Sequence, residues 1–300
     1  MLTPLPGPVV GAFVALAAAI VALWAPRLWT SPHARSLWVA PFGIALLLGQ
    51  SGGIVETRGL IALFTLITVT RAGYRAPDGP LRGFALAVML ALSAGLLLHA
   101  VPGFENPVLL EGVRLSADSA PYTKYLNFDK GVLGLFLLGL YVPARTLRRA
   151  PAGTWPAAMW RFAVVAAVVM ALTMAVGYAR WDPKLPPWWP AWLASMVFFT
   201  AVPEEAVFRH VVQGGLQTWL GQSQQARWTA MAGAAALFGL AHIGGGWIYV
   251  MLATAAGIGY GLVYAITGSI VAAAAAHTAL NLLHLLLFSY PALDLVAASR

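Results

Sequence analysis

The chain has 300 residues, 60% of them hydrophobic and only 9% charged, against about 25% charged in a soluble domain. That deficit, spread over several long apolar runs, excludes an ordinary soluble protein and indicates a polytopic membrane protein. The net charge of +8 would suggest nucleic acid in a soluble chain, but here the basic residues sit in short loops between apolar runs. There they set orientation in a bilayer, and no nucleic-acid partner is expected. The chain has no cysteine, which excludes disulfides, thiolate metal sites and a cysteine nucleophile. Arginine outnumbers lysine fifteen to three, a bias in keeping with a GC-rich bacterial genome.

The first residues, MLTPLPGP, lack the positive n-region of a signal peptide, so Val9–Ala25 reads as a retained transmembrane helix. Further apolar runs follow near 37–53, 59–70, 83–101, 131–143, 161–178, 189–203, 229–243, 247–266 and 270–290. Several fall short of the ~20 residues that a straight span needs. The expectation is an all-α bundle of about eight to ten spans. Tryptophans cluster near the run ends, for example Trp24 and Trp29, Trp155 and Trp160, Trp188 and Trp189, as in the aromatic belts at headgroup level.

Loop charge alternates along the chain. Arg27 and Arg35, then Arg71, Arg75 and Arg82, then Arg145, Arg148, Arg149 and Arg161 mark cytoplasmic loops, which places the N-terminus outside. Residues 102–130 form the longest polar stretch and are expected as a plain extracytoplasmic loop within an N-terminal helical region, 1–150. Asp182–Pro190 is a proline-rich external turn that aims the next helix. No internal repeat at a fixed period is visible.

The chemistry concentrates late in the chain. Between Trp188 and Tyr290 the only acidic residues are the adjacent Glu204 and Glu205, and the only other charged residues are Arg209 and Arg227. Ionisable groups at membrane depth cost roughly 2.5–3.5 kcal/mol each on insertion scales, so they need partners and usually a task. A helix from Trp189 carries Glu204 roughly 22 Å along its axis, and Pro203 permits a kink just before the acid pair. Glu205 and Arg209 are spaced i,i+4 and can pair on one face. Glu204 points about 100° away without a partner on its own helix, the setting of a general base. A buried structural ion cluster explains the same residues equally well. Arg209, Gln213, Gln217 and Gln222 make the helix increasingly polar, as on leaving the membrane.

Two further helices add to the set. Phe238 and His242 end an Ala- and Gly-rich helix suited to close packing. His277, Asn281 and His284 share one face of the last helix, and Gly257, Gly259, Gly261 and Gly268 between the two mark tight packing. A carboxylate with a histidine can activate water. A second histidine with a carboxamide can donate hydrogen bonds to a developing oxyanion. Neither a Gly-x-Ser-x-Gly elbow nor a His-Glu-x-x-His zinc helix occurs.

In order, Glu204-Glu205-x-x-x-Arg209, Phe238-x-x-x-His242 and His277-x-x-x-Asn281 resemble the CPBP family of intramembrane endopeptidases, named for CAAX proteases and bacteriocin-processing enzymes. Thr267-Gly268-Ser269-Ile270 resembles the family as well. The resemblance covers about residues 189–290 and implies a catalytic helix bundle over 155–300. It implies that Glu204 and His242 activate water, that His277 and Asn281 stabilise the oxyanion, and that Glu205, Arg209 and Phe238 support the site. Members are described both as glutamic proteases and as metalloproteases. If metal-dependent, Glu204, His242 and His277 are the zinc ligands, but the metal-free reading is favoured because Arg209 occupies the one spare carboxylate. The expected partners are the bilayer, a bacterial inner membrane, and a peptide or protein substrate. A non-enzymatic immunity factor or scaffold of the same fold and a proton-coupled transporter are the competing classes. The complete set of motif residues argues against the scaffold, and the lack of an inverted repeat argues against the transporter.

Overall fold

The computed structural model describes residues 2–24, 36–141 and 153–294. Arg27, Trp29, Arg35, Arg145, Arg148 and Arg149, which anchor the orientation argument, lie outside the described residues. Ten helices follow the ten apolar runs: α1 (Gly7–Trp24), α2 (Val39–Ser51), α3 (Thr57–Arg75), α4 (Pro80–Leu97), α5 (Phe128–Phe136, continued as a π-turn over Leu137–Tyr141), α6 (Thr154–Ala175), α7 (Trp189–Leu220), α8 (Gln224–Leu240), α9 (Gly246–Thr267) and α10 (Ile270–Leu287). The protein is an all-α polytopic bundle. By length and composition α1, α4, α6, α7, α9 and α10 can each cross a membrane. The larger expected count of eight to ten includes α2, α5 and α8, which are short, and α3, which carries Arg58, Arg71 and Arg75.

The segment expected as a plain loop is built. Val108–Val113 (β1) pairs antiparallel with Tyr122–Tyr125 (β2). Alternation along β2 turns Lys124 inward and leaves Thr123 and Tyr125 exposed. The hairpin is tied to both termini of the described chain. Thr3 N–H donates to Leu109 O at 3.0 Å, and Ala120 N–H to Ala292 O at 2.9 Å. Arg114 pairs with Asp294 at 2.9 Å, and Arg180 with Asp118 at 2.8 Å. These bonds make a cap over one end of the bundle, where the chain entries and exits of α5, α6, α7 and α10 meet.

Small residues let the site-bearing helices approach. In α5, a Cβ at Gly134 would lie 3.0 Å from Pro203 Cα of α7. At Gly239 of α8, a Cβ would meet Val250 O of α9 at 2.7 Å and run into the Thr254 hydroxyl. Gly261 of α9 sits against Met231, Gln213 and Arg209 in the same manner. Gly268 serves differently: with φ of 62° it ends α9 in the left-handed conformation. Ser269 then caps α10, its Oγ accepting from Ala272 N–H at 3.3 Å. This tight reversal fixes the register of α10, and with it the positions of His277 and Asn281.

The α8–α9 contact can be probed through Gly239. Gly239→Ala is expected to lower the thermal unfolding midpoint in detergent, by the ~1–3 kcal/mol typical of overpacking. Gly43→Ala, with nothing within 4 Å of the added Cβ, should be neutral or stabilise by roughly 0.5–1 kcal/mol. Equal shifts for the two variants would show that this helix contact does not limit stability.

Candidate active site

Helix α7 is not a simple kinked helix. It runs as an α-helix to Met196, as a π-helix over Val197–Ala201, as one α-turn over Val202–Glu205, and again as a π-helix over Ala206–Gln213. Pro203 has no N–H, and its ring crowds the carbonyl four residues back. The wider π-turn just before it accommodates that crowding without a sharp break. π-Segments are rare and concentrate at functional sites. Here two of them bracket the acid pair.

Glu205 and Arg209 are both fully buried and joined, Arg209 Nε donating to Glu205 Oε2 at 2.7 Å. The second oxygen, Glu205 Oε1, accepts from His277 Nδ1 at 2.9 Å. Arg209 also reaches Gln213 Oε1 at 3.4 Å, and Gln213 Nε2 donates to Gly261 O of α9 at 3.2 Å. Gln213 therefore does not mark the exit from the membrane; it is buried and locks α7 to α9. Phe238 is the common neighbour: its ring lies 5.6 Å from the Arg209 guanidinium, 4.7 Å from His242 and 5.6 Å from His277. Tyr260 stacks on His277 at 4.6 Å and an interplanar angle of 7°. The imidazole of His277 is thereby held by two rings and a carboxylate.

Glu204 does have a counter-charge, supplied from elsewhere in the chain. Lys130 Nζ, in the first turn of α5, donates to Glu204 Oε1 at 3.0 Å. Glu204 Oε2 is buried without a hydrogen-bond partner. This oxygen is the open acceptor of the site. An unsatisfied buried acceptor is costly to leave bare.

A cavity of about 330 Å³ is lined by Glu204, Phe238, His242, His277, Asn281 and His284 together. The four residues expected to act on substrate thus share one space, while Glu205 and Arg209 stand behind it. His242 lies in the turn after α8, and its Nδ1 faces Phe238 O at 2.7 Å. A carbonyl only accepts, so Nδ1 carries the hydrogen and Nε2 holds a lone pair. His277 Nδ1 donates to Glu205 in the same way, so its Nε2 carries a hydrogen only in the imidazolium form. Asn281 Nδ2 spends one hydrogen on His277 O at 3.1 Å and keeps a second. His210 lies away from the cavity, against Tyr264 and Tyr141.

Sequence reasoning missed the far wall. The hairpin contributes Tyr122, Lys124 and Tyr125, and Tyr249, Tyr260 and Tyr290 close the remainder. Tyr122 accepts from Trp192 Nε1 at 3.0 Å, and burial pushes its phenol up to about 12, so it remains neutral. One signal was available: two of the three lysines in this arginine-rich chain fall in the polar stretch, and both end beside Glu204.

For zinc, Glu204 would have to share its carboxylate with the Lys130 ammonium, and each histidine offers only Nε2. Among the described residues no three His, Cys, Asp or Glu side chains are grouped to hold a metal ion. The atoms left to ligate a zinc ion are Glu204 Oε2 and the Nε2 atoms of His242 and His277.

Removing Lys130 would leave Glu204 buried and uncompensated. Lys130→Met is expected to destabilise the protein by about 3 kcal/mol, read as a lowered unfolding midpoint, and to abolish activity. Adding Glu204→Gln should restore most of the stability and none of the activity. Additive losses in this double-mutant cycle would rule out the pair as a coupled unit.

Residues 186–283 match the family model described as Rce1-like, type II CAAX prenyl endopeptidase Rce1-like. No curated protein and no solved structure matches the chain. The matched stretch begins just before α7, ends within α10 and includes Glu204, Glu205, Arg209, Phe238, His242, His277 and Asn281. Residues 186–283 are therefore similar to an Rce1-like domain, consistent with the resemblance to the CPBP family.

Proposed function

We propose that this protein is an intramembrane endopeptidase that hydrolyses a peptide bond with water activated by Glu204 and His242. The observation that carries the proposal is the unpartnered, buried Oε2 of Glu204 in a cavity shared with His242, His277 and Asn281. A water held between Oε2 and the His242 Nε2 lone pair loses its proton as its oxygen adds to the scissile carbonyl. The oxyanion that forms accepts hydrogen bonds from the free Asn281 Nδ2–H and from His277 Nε2–H in its imidazolium form. The C–N bond then breaks, and the proton taken from water goes to the leaving amine. Lys130 fixes the carboxylate so that one oxygen is committed and the other is open. Glu205 and Arg209 orient His277 without touching substrate.

The reaction is proposed to need no metal, in keeping with the donor arrangement around Glu204. The cavity is lined from residues 122–127, Tyr178, Tyr249 and Tyr290, all in segments that the loop-charge pattern assigns to the extracytoplasmic side. The proposed setting is a bacterial inner membrane, with a membrane-associated peptide or protein as substrate.

Two experiments test this reading. Protein termini in membrane and secreted fractions are compared between cells expressing wild type and Glu204→Gln at matched folded levels. Termini present only with wild type are expected, and identical sets of termini would overturn the endopeptidase reading. On a substrate so identified, a chelator such as 1,10-phenanthroline should leave the cleavage rate unchanged. Inhibition reversed by added zinc would overturn the metal-free mechanism.

A further inference from the structure

The hairpin brings an unbalanced positive charge to the cavity. Lys124 is 8% exposed and lines the space with Glu204. Its one hydrogen bond is to a neutral group, Thr200 Oγ1, at 3.1 Å. Among the described residues no carboxylate pairs with it, because the nearby Glu204 is taken by Lys130. Behind the cavity Glu205 and Arg209 balance each other. The other buried carboxylate nearby, Asp129, is bonded to His99 at 2.7 Å, so Lys124 is left without a carboxylate partner among the described residues. A buried charge without an ion partner is strongly unfavourable. Burial, then the Lys130 ammonium, lowers Lys124 to about 8, with Glu204 pulling the other way. At neutral pH it is still mainly an ammonium.

From this juxtaposition we infer that Lys124 anchors a carboxylate of the peptide substrate, placing the scissile bond against Glu204. The inference rests on the endopeptidase reading for its substrate but not for the anion site itself. A volume of about 330 Å³ is at the lower end for ligand pockets and holds only a few residues. Val169 and Met170 from α6 and Leu252 and Ala256 from α9 add apolar surface to the cavity lining beside its polar groups. The fitting ligand is a short apolar peptide segment bearing one carboxylate, either its free C-terminus or an acidic side chain. Lys124 is a specificity-determining residue in this scheme. It lies outside the matched residues 186–283, so it separates this chain's selectivity from the shared chemistry.

Binding to the full chain in lipid nanodiscs tests the inference without turnover. The probes are acetyl-trileucine as the free acid, the same peptide as its C-terminal amide, and an amide with glutamate at the central position. Wild type is expected to bind the free acid at least about tenfold more tightly than the neutral amide, the size of a charge-assisted hydrogen bond. Lys124→Met should abolish that preference, and Lys124→Arg should keep part of it. Tight binding of the free acid alone assigns the chain end, whereas tight binding of the glutamyl amide alone assigns an acidic side chain. Binding of all three probes within about twofold by wild type would overturn the inference, and that comparison needs no variant. Persistence of the acid preference in folded Lys124→Met would overturn it too. Carboxylate binding through Lys124 in a chain that generates no new termini would instead sink the endopeptidase reading and leave the anion site standing.

Discussion

Two adjacent carboxylates buried in one helix impose the constraint that the rest of the bundle answers. Side chains one residue apart diverge by about 100° on a helix, so Glu204 and Glu205 cannot share a counter-ion. Glu205 is neutralised within α7 by Arg209 and gains a second bond from His277. Glu204 can be met only from another helix, and Lys130 of α5 meets it. That requirement fits the placement of α5, which packs against Phe199 at Gly131 and against Pro203 at Gly134. It explains as well why glycine stands at 134, where α5 touches Pro203.

The asymmetry between the two acids is what the proposed chemistry depends on. Every oxygen of Glu205 is committed, and the group acts as a fixed negative support for His277. Glu204 has one oxygen pinned and one open. Identical side chains, one residue apart, are thus separated into one fully committed carboxylate and one with an open oxygen by what surrounds them. The π-turns on either side of Val202–Glu205 allow this. They widen the helix where a proline, an acid pair and a buried arginine must all be accommodated.

What was legible in the sequence follows from locality. Apolar runs gave the ten helices, because an apolar run long enough to bury itself in lipid must close its own backbone hydrogen bonds. The i,i+4 pairs Glu205–Arg209 and His277–Asn281 were readable because helix geometry alone sets them. The convergence of Glu204, His242, His277 and Asn281 on one cavity was readable through spacing and resemblance. Long-range partners were not. Lys130 lies 74 residues from Glu204 and Lys124 lies 76 from Thr200, separations that no periodicity connects. The hairpin was read as a loop because its strands are short and its register is interrupted by bulges. The π-turns left no trace that propensity could detect.

These long-range contacts change what the N-terminal half is for. If residues 1–150 only added spans, the site would consist of α6 to α10 and would lack the wall that β2 supplies. Instead α5 supplies the ammonium that fixes the acting carboxylate, and β2 supplies one wall together with the unpaired Lys124. The cap that holds β2 in place is itself tied to Asp182 through Ser116 and to Asp294 through Arg114. The matched stretch 186–283 carries the groups proposed to act on the peptide bond. The segment outside it sets the charge and shape of the space that the bond must enter. In the proposed scheme chemistry and selectivity fall to different stretches of the chain, which the ion pair Lys130–Glu204 joins.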